Sequence, residues 1–138
     1  MLFPKKVKYR KWQTGRVNIK KSSPDTRGTT LSFGSFGLKS EGAGRIKSNQ
    51  IESARKALSR QMTKTGKLWI RIFPDRPYTA KPAEVGMGKG KGDPQGYCFE
   101  IRSGRVIFEV DGVPENVARE ALRKAGSKLP VKTKIVSR

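Results

Sequence analysis

The 138-residue chain carries 31 Lys and Arg against 11 Asp and Glu, a formal charge of +20 and a pI near 10.7. With 34% hydrophobic and 30% charged residues it can bury only a modest core, and self-repulsion at this charge density favours a polyanionic partner, most commonly nucleic acid. The lack of histidine and the single cysteine, Cys98, exclude Cys/His zinc sites, internal disulfides and Ser-His-Asp or Cys-His catalysis, and no apolar run is long enough to span a membrane.

The charge is lopsided. Residues 1–40 hold ten Lys or Arg and one acid, Asp25, while eight of the eleven acids fall from Asp75 onward. The start, MLFPKKVKYRKW, has no apolar segment behind its cations and reads as neither a secretory signal nor a transit peptide. Residues 1–29 carry Lys5, Lys6, Lys8, Arg10, Lys11, Arg16, Lys20, Lys21 and Arg27 between Phe3, Tyr9 and Trp12, with no helical or strand period. This pattern predicts an extended RNA-binding arm whose cations neutralise phosphates while its rings stack on unpaired bases. A merely solvated tail would rarely spend Tyr and Trp.

Residues 30–39 predict a strand, with Phe33 and Phe36 expected in the core in preference to stacking on bases, and Gly34 and Gly37 allowing close backbone approach or a bulge. Ser48 is a candidate N-cap for a helix over 49–64 that buries Ile51, Ala54, Leu58 and Met62. On its other side stand Lys56, Arg60 and Lys64, four residues apart. Like charges at that spacing repel by a few tenths of a kcal/mol per pair, so this basic ridge needs an anion unless it is simply a solvated face.

Residues 68–73, LWIRIF, are apolar on both faces apart from Arg71 and predict a central strand. Residues 97–110 predict a hairpin turned at Ser103 and Gly104. Pro114 suits the first position of a second helix with Glu115 in its first turn, a buried stripe of Val117, Ala118, Ala121, Leu122 and Ala125, and Gly126 at its end. Residues 131–136 predict a last strand. The order predicts a compact α+β domain over 30–138 behind the basic arm 1–29.

Residues 74–96 predict a long Gly/Lys-rich functional loop, half of which could extend about 36 Å against a gyration radius of roughly 14 Å for the body. Gly86, Gly88, Gly90 and Gly92 alternate with Met87, Lys89 and Lys91. The run lacks a Gly-Lys-Ser/Thr ending and leads into a strand instead of a helix, which argues against a nucleotide-phosphate cradle. A plain linker has no use for Arg76, Lys81, Lys89 and Lys91.

The segments MLFPKKVKYRKW, LSFGSFGLKS, QIESARKALSRQM, GKLWIRIFPDRPYTAKPAEV, MGKGKG, GRVIFEVDGVPENVAREAL and KLPVKTKIV span nearly the full length. Together they resemble universal large-subunit ribosomal protein sixteen in its bacterial and plastid form. The resemblance implies a hammerhead-type mixed sheet with two helices. It also implies a non-enzymatic structural role in the large ribosomal subunit, with no cofactor or metal.

Implied partners are large-subunit ribosomal RNA, tRNA and neighbouring ribosomal proteins, with no membrane, on a bacterial cytoplasmic ribosome or, alternatively, an organellar one. The basic start and the first helix are implied to lie near RNA. With the residue reading above, the candidate RNA contacts are Lys5, Lys6, Lys8, Arg10, Lys11, Trp12, Arg16, Lys56, Arg60 and Lys64. The loop, with Arg76, Lys81, Met87, Lys89 and Lys91, is implied to face the acceptor arms of aminoacyl-site and peptidyl-site tRNA. The chain departs from the family in residues 17–27, which look longer and more polar, and at Gly86, where the family commonly has Arg.

Overall fold

Residues 48–61 contain neither Gly nor Pro and repeat apolar side chains every three to four positions, and they form α1 (Ser48–Gln61) with Ile51, Ala54 and Leu58 buried on one face. Lys47, not Ser48, takes the cap position, where its backbone N–H donates to Gln50 Oε1 at 2.9 Å. The helix ends before Lys64, and Met62 is only half-buried. The second helix, α2 (Glu115–Gly126), begins after an extended Pro114 and buries Ala118, Ala121, Leu122 and Ala125, with Val117 half-buried.

The computed structural model describes residues 1–138 except Thr14 and Arg16. The strands β1 (Phe36–Ser40), β2 (Gly44–Lys47), β3 (Lys67–Ile70), β4 (Arg76–Ala80), β5 (Asp93–Ile101), β6 (Val106–Asp111) and β7 (Thr133–Ser137) form two sheets, ordered β3-β6-β1-β7 and β2-β5-β4. Every pairing is antiparallel, so the α+β domain carries two antiparallel sheets in place of one mixed sheet.

Three local expectations change with this topology. Residues 97–110 do not form a hairpin, because β5 pairs with β2 and β4 while β6 pairs with β1 and β3. The bend at Ser103 and Gly104 passes the chain between sheets, with Gly104 at φ +96° donating its N–H to Ser40 O at 2.7 Å. The strand within 68–73 is an edge strand, since β3 pairs only with β6. Finally, β4 and the start of β5 absorb both ends of the predicted loop, leaving residues 81–92 between them. Half of that span extends about 20 Å beyond the end of the β4–β5 ribbon that carries it.

The core lies where α2 meets the four-stranded sheet and α1 packs on α2, β2 and β5, and it includes the cross-strand row Ile70, Phe108, Leu38 and Ile135 together with Ile46 and Ile101. Leu38 and Phe108 are buried, and each stabilises the fold by roughly 2–3 kcal/mol through apolar area removed from water. The sheet's other face is covered by the segment ahead of β1. Val106 N–H donates to Gly28 O at 2.8 Å, and Ser35 N–H donates to Val110 O at 3.1 Å. Leu31 presses so closely on Gly37 that a Cβ there would stand 2.3 Å from Leu31 Cδ2. β6 is consequently buried on both faces, Glu109 included.

Candidate nucleic-acid interface

Apart from one 3-10 turn at Ile19–Lys21, the described residues 1–29 form neither helix nor strand. The chain starts beside α1, where Ser48 Oγ lies 3.6 Å from Met1 Sδ, and then reaches the loop between β4 and β5. There Lys11 Nζ donates to Lys91 O at 3.3 Å, and the Arg76 guanidinium lies 5.7 Å from the centre of the Trp12 ring. Arm and loop, separate in the sequence reading, are thus neighbours. Lys5, Lys6, Lys8 and Arg10 are exposed, and among the described residues none of them forms an ion pair. Arg16, also expected to contact RNA, lies outside the described residues.

The loop is the tip of the β4–β5 hairpin, closed by the pairing of Ala80 with Asp93. A Cβ at Gly92 would stand 2.7 Å from the Ala80 carbonyl, so only glycine fits that close approach. Gly88, Lys89 and Gly90 take φ values of +106°, +59° and +99°, and Lys89 is the only non-glycine with positive φ among the described residues. This turn leaves Met87 and Lys89 exposed, with Lys91 close behind.

Two predicted loop cations are employed internally. Arg76 sits in β4, mostly buried, paired with Glu100, which also accepts from Arg45 Nε at 3.1 Å. Lys81 Nζ donates to Gly88 O across the loop and ties its two limbs together. Neither is a free projecting cation, which leaves Lys89 and Lys91 as the tip's available charge.

On α1, Lys56 and Arg60 are exposed, and among the described residues neither forms an ion pair. Lys64 is exposed beyond the helix end, so the helical ridge has two cations and not three. Arg55, one position before Lys56, is instead committed to Glu52 at 2.5 Å. That hydrogen bond holds the Glu52 carboxyl below its usual pKa.

Sequence reasoning placed both rings of residues 30–39 in the core, and the structure corrects one of them. Phe36 packs against the core as expected, but Phe33 is 54% exposed, its ring centre 5.9 Å from that of Trp69 with an 18° angle between planes. The odd spacing of the two rings was the available signal, because residues three apart in an extended chain face opposite ways. Beneath Phe33 the buried Glu109 accepts from Ser32 N–H at 2.8 Å, Phe33 N–H at 3.1 Å, Gly34 N–H at 3.3 Å and Arg71 Nη1 at 2.5 Å. Burial alone would raise this carboxyl's pKa, but the Arg71 guanidinium and the three N–H groups outweigh it and hold the pKa below its ordinary value. Cys98 is buried, and desolvation pushes its thiol pKa up, away from the reactive thiolate.

Residues 4–136 match the family described as Ribosomal protein L16p/L10e. The chain belongs to this family. It is 55% identical to "Large ribosomal subunit protein uL16" of Halorhodospira halophila, over all of this chain and 98% of that protein. It is 52% identical to the proteins of the same name from Verminephrobacter eiseniae and Maricaulis maris, again over the whole chain, covering 97% and 98% of their lengths. As a member of the L16p/L10e family it is a structural, non-enzymatic constituent of the large ribosomal subunit, which in bacteria works in the cytoplasm. No helix among the described residues is long and apolar enough to cross a membrane.

Proposed function

We propose that this large-subunit protein grips ribosomal RNA through Lys5, Lys6, Lys8, Arg10 and Lys11 of the arm, with Trp12 and Arg16, and through Lys56, Arg60 and Lys64 in and beyond α1. On the same reading it presents the tip of loop 81–92, with Met87, Lys89 and Lys91, to tRNA in the aminoacyl and peptidyl sites. The observation that carries the proposal is the allocation of charge. Among the described residues six of the eleven acids, Asp25, Glu52, Glu100, Glu109, Glu115 and Glu120, pair with cations such as Arg55, Arg71, Arg76 and Arg123, while the described cations named for arm, α1 ridge and loop tip have no acidic partner. Exposed cations without acidic partners are suited to neutralising phosphates.

Replacing Lys89 and Lys91 together by Ala separates the two roles. If the tip serves tRNA, occupancy of the protein in purified large subunits stays near wild type, because arm and α1 still hold it. Aminoacyl-tRNA accommodation slows by tenfold or more, given about 1.5–3 kcal/mol per charge-assisted contact. Collapsed occupancy, with normal accommodation on particles that retain the protein, would make the loop an assembly anchor instead.

A further inference from the structure

We propose that Phe33 and Trp69 form a stacking platform for one unpaired base of large-subunit ribosomal RNA. The inference rests on the ribosomal-RNA reading above and assigns it a specific contact. Phe33 is 54% exposed although the backbone beneath it is held firmly. Three consecutive N–H groups, from Ser32 to Gly34, converge on the Glu109 carboxylate. Gly34 is required there, because a Cβ would lie 2.6 Å from Val110 O. Core packing has no need of an exposed ring held in place this way, whereas a stacking surface benefits from preorganisation.

The neighbours suit a base. The Trp69 ring lies nearly parallel to Phe33, and the Arg71 guanidinium stands 5.1 Å from the Phe33 ring centre, fixed by its ion pair with Glu109. Trp69 also borders an open groove of about 570 Å³ shared with Arg71, Phe73, Asp75, Phe99 and Arg105. Flat rings beside guanidinium groups offer a base both a stacking face and hydrogen-bond donors at its edge.

The charge around the platform favours RNA over a protein segment laid along the open edge of β3. Lys67 is exposed at the start of β3, and Arg138 Nη2 donates to Ser32 O at 3.2 Å. The nearby acids Glu109 and Asp111 are already engaged, the latter by Gly112 N–H and Ser35 Oγ. The groove also holds an exposed acid, Asp75, so the positive charge that a base arriving with its phosphates would meet at the rim is that of Lys67 and Arg138.

The test uses the full chain labelled with 5-fluorotryptophan, its Trp69 fluorine signal assigned through Trp69→Phe. It is titrated with a short single-stranded oligoribonucleotide and with an abasic strand carrying the same phosphates. The platform predicts a saturable Trp69 shift with the base-bearing strand only. Phe33→Leu should weaken the midpoint by about tenfold, and Phe33→Tyr should retain it. In purified large subunits, a photocrosslinker placed at Phe33 should capture ribosomal RNA.

Equal Trp69 shifts with both strands, an unchanged midpoint in Phe33→Leu, or capture of a neighbouring protein overturns the platform. RNA binding that leaves Trp69 unmoved also overturns it while the ribosomal-RNA reading stands. Failure of both strands to bind overturns the platform and the ribosomal-RNA reading together.

Discussion

The two helices do the same packing work and allocate their charges differently. α1 buries Ile51, Ala54 and Leu58, and α2 buries Ala118, Ala121, Leu122 and Ala125. On the outer side of α2, Arg119 meets Glu115 at 2.9 Å, Arg123 meets Glu120 at 2.8 Å, and Lys124 meets the same Glu120 at 3.8 Å. Such exposed pairs stabilise a helix by only a few tenths of a kcal/mol each, so their main consequence is local neutralisation. α1 pairs Arg55 with Glu52 and leaves Lys56 and Arg60 without an acid among the described residues. High net charge by itself therefore does not single out a face; on the proposed reading the distribution of partners does.

The parity in packing is open to the largest test. Leu58 and Leu122 are both fully buried. Leu58→Ala and Leu122→Ala should each cost about 3 kcal/mol in urea unfolding, through lost burial and the cavity left behind. A negligible cost at either position would mean that the two helices are unequal as packing elements.

A second test concerns a carboxylate whose pairing is structural. Glu109→Gln should cost about 2 kcal/mol near neutral pH, below the range for fully buried pairs because Arg71 is one-fifth exposed. The folded-state pKa of Glu109 lies below its ordinary value of 4.5, so its contribution is complete above that pH and is lost as pH falls through the folded value. The stability gap between wild type and variant, followed by urea unfolding, should hold above pH 4.5 and narrow below it. A gap that widens on acidification would refute the depressed pKa.

Both helices were legible in the sequence because their apolar positions recur at helical spacing between breakers, and their buried residues were read to within one or two positions. The strands were less legible. Arg76–Ala80 contains Pro77 inside a Pro/Gly-rich stretch and read as loop, yet Pro is tolerated there because β4 is an edge strand. Pro94 fits within β5 because β2 pairs only with residues 98–101, leaving β5 one neighbour at that point. Residues 97–110 looked like a hairpin because two β-rich runs flank a turn signal. Which sheet each run joins depends on long-range partners that local pattern does not encode.

The candidate site was legible as a set of cations and not as an arrangement. Charge counts identified Lys56, Arg60, Lys89 and Lys91 together with Arg76 and Lys81, but not that Glu100 and the Gly88 carbonyl already occupy the last two. The contact of Lys11 with Lys91 spans too much sequence for any local period to reveal.

The most direct test of the account is the salt dependence of RNA binding by the purified full chain in three forms. Wild type should lose affinity with rising salt at a log–log slope of about −4 or steeper, as expected for roughly six or more phosphate contacts. The double variant Lys56→Ala with Arg60→Ala should flatten that slope by roughly 1.5 to 2, one phosphate contact per cation. Arg119→Ala with Arg123→Ala, which removes the same charge from α2, should leave it nearly unchanged. Equal flattening by both doubles, or a wild-type slope near −1, would contradict the claim that cations left without acidic partners mark the RNA-binding face.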